Sequence, residues 1–133
     1  MASDGNTAVQ HYLDAVNALC DTLLPKVVAV SDGGSLDIPR KAYFAQLPAH
    51  TRLLDKFDRQ LAKIPVPAGA KAKAAAFAAY VRFANRLDAR RVAAARSGKA
   101  AYTKEIAAEA DAAGSPTIAA RDAAGFNESC NAR

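Results

Sequence analysis

Apolar residues recur at three- and four-residue steps along most of the chain, and no stretch alternates apolar and polar residues over strand length. Residues 9–28 carry the longest series, which predicts a helix of about 24 residues capped by Asn6 or Thr7. Pro25 lies inside this helix and is expected to kink it, because proline lacks the backbone donor. The polar, glycine-containing residues 31–35 end the helix in a loop.

A second series begins after Asp37 and runs to Ile64, where two prolines in the next three residues give a stiff connection. Pro48 divides the series, so it predicts either one kinked helix or two short ones.

The second half of the chain predicts three more helices. They cover residues 68–97, which Gly98 would cap, residues 99–113, and a short final segment from Ser115 to Gly125. The chain has 34 alanines among 133 residues, and alanine has the highest helix propensity. We therefore predict an all-α domain, an antiparallel bundle of four main kinked helices plus a short C-terminal helix.

Residues 6–133 form the predicted single domain, whereas residues 1–5 lack the charged and apolar regions of a secretory signal. Two interpretations are open. The chain is either a native cytosolic protein, or the product left after a signal or anchor was replaced by a start methionine. In the second case residues 1–5 are disordered or foreign to the natural protein. No run of about 18 apolar residues predicts a membrane-spanning helix.

The two cysteines favour the second interpretation. Cys20 lies at the centre of the apolar face of the first helix, and Cys130 lies in the tail after the last helix. A bond between them would join the tail to the first helix, and disulfides persist in oxidising compartments. The alternative is a buried free thiol at Cys20 beside an incidental Cys130. Their spacing fits neither a zinc site nor a Cys-x-x-Cys redox motif.

Short motifs at five places in the chain support the same location. They are residues 12–20, Leu24-Pro25, the connection 64–67, Gly98, and Gly125-Phe126 ahead of Cys130. Together they resemble the small helical domains that many actinobacteria display outside the plasma membrane, as lipoproteins or behind one membrane helix. The resemblance implies the bundle, the disulfide and an extracytoplasmic location in the cell envelope or outside the cell. It implies no mechanism.

The net charge of +5 is unevenly distributed. Residues 68–104 hold nine bases and one acid, whereas residues 105–133 hold five acids and two bases. A basic patch is predicted on the third helix at Arg82, Arg86, Arg90 and Arg96. The patch is either a solvated face or a contact for an anionic partner, such as a phospholipid headgroup, a cell-wall polymer or nucleic acid. No DNA-binding motif accompanies it, and a disulfide would argue against nucleic acid.

Asp88 and Arg91 fall on the apolar side of the third helix, three residues apart, with Tyr80 on the same side. They are either a partly buried ion pair that fixes helix register, or the polar mouth of a small-molecule site beside Tyr80.

No catalytic, cofactor or metal signature is present. Of the two histidines, His11 is predicted on the solvent side and His50 at the core edge, and neither forms a ligand pair at helical spacing. We therefore expect a non-enzymatic domain without a cofactor, which contacts an unknown protein or an anionic envelope component. A small-molecule-binding bundle and a cytosolic nucleic-acid binder are the alternatives.

Overall fold

A computed structural model of the chain describes residues 2–30, 40–97 and 116–132, and these residues are mostly helical, with no strand among them. This confirms the predicted all-α class. The elements are helix α1 (Ala2–Val30), helix α2 (Arg40–Ala62), a 3-10 turn (Ala68–Ala70), helix α3 (Lys71–Arg96), helix α4 (residues 116–123) and a second 3-10 turn (Glu128–Ala132). The helix predicted at residues 99–113, and Gly98, the predicted cap of the helix before it, lie outside the described residues.

Helix α1 begins earlier than the sequence predicted, at Ala2 instead of after Asn6 or Thr7. Residues 2–5 therefore belong to the helix, and the expectation that residues 1–5 are foreign to the natural protein stays a prediction. Gly5 is exposed, and nothing lies within 4 Å of where its Cβ would be.

Neither internal proline interrupts its helix. Pro25 lies within α1 and Pro48 within α2, so the predicted choice between one helix and two at Pro48 resolves to one. Both prolines are exposed. A backbone carbonyl deprived of its helical donor on the solvent side can bond to water instead, which lowers the cost of an interior proline.

Helix α3 corresponds to the third predicted helix, with its first turn tightened. Residues Ala68–Ala70 form the 3-10 turn, in which Ala70 N donates to Pro67 O at 2.9 Å, and the α-helix continues from Lys71. A side chain at Gly69 would meet Val9 Cγ2 at 3.0 Å, so this turn lies directly against α1.

Aromatic contacts fix how the helices run. Phe57 of α2 stacks on Phe77 of α3 at 6.3 Å between ring centroids, and Tyr43 of α2 packs with Ala95 of α3. Because the early residue of α2 meets the late residue of α3, these helices are antiparallel. Helix α1 supplies the most buried part of the core, in which the side chains lose contact with water. Its fully buried members are Val16, Cys20 and Leu24, with Val27 at 1% exposure.

The C-terminal residues return to this core. Phe126 meets Phe77 edge-on at 4.9 Å between centroids, and its ring also contacts Tyr12. Gly125 allows the turn into Phe126 with φ +103°, a conformation that favours glycine. A Cβ there would also meet Leu13 Cδ1 at 3.2 Å. The tail, defined as residues 125–130, is therefore held between α1 and α3.

Candidate functional site

The disulfide joins the tail to α1. Cys20 and Cys130, the two cysteines of the chain, are bonded, with 5.0 Å between their Cα atoms and 110 residues between them in sequence. Both side chains have no exposed surface. The predicted pairing is confirmed, and the bond lies inside the main core cluster instead of on the surface.

Polar contacts hold the same tail beside the disulfide. Asn17 accepts from Asn127 N at 2.7 Å and donates to Gly125 O at 3.2 Å, which satisfies backbone groups on both sides of Phe126. Asp21 accepts from Ser129 Oγ at 2.5 Å and from Asn127 Nδ2 at 3.3 Å. One edge of α1 is therefore a docking site for the chain's own tail.

Arg121 of α4 is the feature that the sequence analysis missed. Its side chain is fully buried, and its Nη1 donates to Cys130 O at 2.9 Å. The guanidinium lies 3.9 Å from the centroid of the Tyr80 ring, a cation–π contact, and its Nη2 reaches Asp122 Oδ1 at 3.5 Å. The sequence signal was present but weak, since Arg121 follows Ile118 by three residues on the side of α4 that packs inward.

Asp88 and Arg91 form the ion pair that the sequence predicted, with 3.8 Å between Arg91 Nη1 and Asp88 Oδ1. The side chain of Asp88 is 28% exposed and that of Arg91 is 14% exposed. Arg91 also lies over the ring of Tyr43, 5.8 Å from its centroid. The pair therefore joins α3 to the first turns of α2.

Tyr80 does not lie beside this pair, so the predicted polar mouth of Asp88, Arg91 and Tyr80 is wrong as a single site. Asp88 follows Tyr80 by two helical turns, which places them about 12 Å apart along α3. Tyr80 is instead covered by Arg121, and the tyrosine beside the pair is Tyr43.

A groove runs between α2 and α3 and contains Asp88. Its polar end has a volume of about 420 Å³ and includes Asp55, Asp58, His50 and Arg96 in its walls. A second, mostly apolar pocket of about 380 Å³ shares Asp58 with it, and Phe77, Arg82 and Tyr12 of α1 are among its lining residues. His50 is half-buried in the groove, as expected of a residue at the core edge, and His11 is exposed.

Tyr43 gives a measurable pH dependence. Burial raises the pKa of Tyr43 above its ordinary 10.0, with Arg91 lowering it and Asp88 raising it. The folded state thus keeps the ring neutral where the unfolded chain ionises it. Stability is complete below pH 10.0 and falls as the pH rises from there towards the raised pKa. Tyr43→Phe should make urea unfolding less sensitive to alkaline pH. If wild type and Tyr43→Phe lost the same stability at alkaline pH, the assignment to Tyr43 would be contradicted. Tyr12→Phe measures the contribution of Tyr12, the other tyrosine whose pKa burial raises.

The predicted basic patch lies on the surface. Arg82, Arg86 and Arg90, which we call the α3 row, are exposed at four-residue steps, so they follow one line along the helix. Arg96 is exposed as well, but it lies on the wall of the groove instead of on this line.

Other site classes find no support in the described residues. Over residues 2–30, 40–97 and 116–132, no three His, Cys, Asp or Glu side chains lie close enough to hold a metal ion. None of the helices described is both long and apolar enough to cross a membrane. Comparison with protein-family models, with curated proteins and with solved structures gives no match.

Proposed function

We propose that this chain is a non-enzymatic helical domain that works outside the cytoplasm, in the cell envelope or as a secreted protein. The observation that carries the proposal is the Cys20–Cys130 bond, fully buried and closing a loop with a sequence separation of 110. Such bonds are rare in the cytosol, where thiols are kept reduced. A fold whose core contains the bond depends on a compartment that keeps it oxidised.

In this proposal the domain contacts an anionic envelope component, or a protein with an acidic face, through the α3 row. Its three arginines are exposed on one line of the helix, and the one acid of α3, Asp88, is paired with Arg91 on another side. A row of like charges attracts anions over a distance of about 10 Å at moderate salt. The resemblance to actinobacterial surface domains agrees with this proposal.

Fractionation of the cells that naturally produce the protein tests both parts. We expect the protein in the envelope fraction, with no reactive thiol when it is denatured without reductant, and we expect added salt to release it. Arg82→Gln with Arg86→Gln and Arg90→Gln should lower the salt concentration needed for release, whereas Lys26→Gln on α1 should not. Two reactive thiols in the native protein would refute the location, and an unchanged salt profile would refute the contact.

A further inference from the structure

A second row of bases lies along α2 and the turn that follows it. Its members are Arg52, Lys56 and Arg59 of α2 and Lys63, the first residue after the helix, which we call the α2 row. They are separated by four, three and four residues, so the three on the helix follow one line for about 10 Å. All four are exposed, and the core residues Leu54 and Phe57 lie on the opposite side of α2. The net charge of the sequence gives no sign of this row, because residues 1–67 hold seven bases and seven acids.

The α2 and α3 rows belong to one strongly charged layer. Residues 40–97 hold thirteen bases and three acids, a net charge of +10 in a chain whose total is +5. Residues 2–30 hold three acids and one base, and in residues 116–132 the one base is the buried Arg121. The positive charge of the described residues is therefore concentrated on the antiparallel α2–α3 pair, away from α1 and the tail.

The acids of this layer lie close to its two rows. Asp55, Asp58 and Asp88 all line the groove between α2 and α3, and Arg82 of the α3 row lines the adjoining pocket together with Asp58. A linear polyanion lying in the groove would meet these carboxylates, whereas a surface that contacts the exposed bases from outside need not enter it.

An open recess adjoins the α2 row. It has a volume of about 450 Å³, and Arg52, Lys56 and Arg59 line it together with Asp55. Three cationic side chains around one recess can bind the phosphate of a headgroup, which a row on a smooth helix surface would hold less firmly. The recess therefore favours a surface made of phosphate groups over a smooth acidic protein face.

We propose that the α2 and α3 rows form one docking surface for an anionic lipid bilayer, with both helices lying along the membrane plane. This rests on the proposed function and identifies its partner as phospholipid. Electrostatic attraction between the basic side chains and the headgroups holds the domain on the bilayer, so binding requires anionic headgroups and weakens with salt. Each basic side chain at such a surface contributes about fivefold to partitioning, so the loss of three should weaken it about 100-fold.

Co-sedimentation of the oxidised full chain with vesicles tests the proposal. One set of vesicles is purely phosphatidylcholine, and the other contains phosphatidylglycerol as about a third of its lipid, enough to give the surface a negative potential. The variants are a triple on α2 (Arg52→Gln, Lys56→Gln, Arg59→Gln), a triple on α3 (Arg82→Gln, Arg86→Gln, Arg90→Gln), and the single changes Lys56→Gln and Lys26→Gln. An unchanged Tm for each variant shows that its fold is intact.

We expect binding to the anionic vesicles only, about 100-fold weaker for either triple variant. Lys56→Gln should weaken binding about fivefold and Lys26→Gln, the same charge change on α1, less than twofold. If the α2 triple variant bound like wild type while the α3 triple variant lost binding, the inference would be overturned and the proposed function would stand. Absence of vesicle binding, or tighter binding to soluble polyphosphate at equal phosphate concentration, would also overturn the bilayer as the partner.

Discussion

Reduction of the Cys20–Cys130 bond is expected to lower the free energy of unfolding by about 5 kcal/mol and the melting temperature by about 20 °C. The bond closes a loop with a sequence separation of 110, and cross-linking such distant residues removes much of the conformational freedom of the unfolded chain. Domains of this size have a total stability of about 5–15 kcal/mol. The loss is therefore large enough to leave the reduced chain partly unfolded at physiological temperature.

The measurement is urea unfolding of the oxidised protein and of protein reduced while unfolded and refolded with reductant present. Both sulfur atoms are fully buried, so reductant added to the folded protein should act only as fast as the chain opens. Cys20→Ala with Cys130→Ala provides the second comparison. This double variant should lose about 1 kcal/mol more than the reduced protein, because the shorter side chain at position 20 leaves a small cavity in the core. Equal midpoints for oxidised and reduced protein would show that the bond contributes nothing.

The helices and the disulfide were accessible from the sequence because each depends on a local pattern. Apolar residues at helical spacing placed Cys20 at the centre of the α1 face, and it lies there with no exposed surface. The end of α4 was equally readable, because Gly125 takes a positive φ that other residues rarely adopt. The start of α1 was not, because residues 3–7 all have low helix propensity and include the good caps Asn6 and Thr7, so both signals predict a later start.

Pairings between elements were the part that the sequence could not supply. A helical wheel placed Asp88, Arg91 and Tyr80 on one side of α3, which is correct, but rotation about the axis says nothing about position along it. The partner of Tyr80 came from α4 and the partner of Arg91 from α2. Both partners are distant in the chain, and no periodicity within one helix can identify them.

Arg121 is the second feature that we expect to make a large contribution to the free energy of unfolding. Arg121→Ala should lower the free energy of unfolding by about 4 kcal/mol, since it removes the largest fully buried side chain and leaves Cys130 O without its donor. A buried charge costs solvation, and replacing one by an apolar group can be neutral when packing is kept. Alanine keeps neither the packing nor the hydrogen bond, so the loss should exceed the solvation that is recovered.

Arg121→Lys separates the role of the charge from that of the planar guanidinium. The guanidinium stacks over Tyr80 at 3.9 Å while Nη1 donates to Cys130 O, and a lysine ammonium is too compact to do both. We therefore expect the lysine variant to be less stable than wild type by about 2 kcal/mol or more. Double-mutant cycles that pair Tyr80→Leu with each Arg121 variant measure the coupling between the two side chains. We expect the guanidinium and the ring to be coupled by about 1–2 kcal/mol, and Arg121→Ala to remove this coupling.

Arg86→Ala is the control, because Arg86 is exposed on the same face as Arg82 and should change stability by less than about 0.5 kcal/mol. Wild-type stability in Arg121→Lys would show that charge alone is needed and would contradict the stacking argument. The disulfide, Asn17 and Asp21 hold the tail to α1, whereas Arg121 joins the carbonyl of Cys130 to α4 and α3. Hydrogen exchange at the Cys130 amide should therefore rise in Arg121→Ala even while the disulfide remains intact.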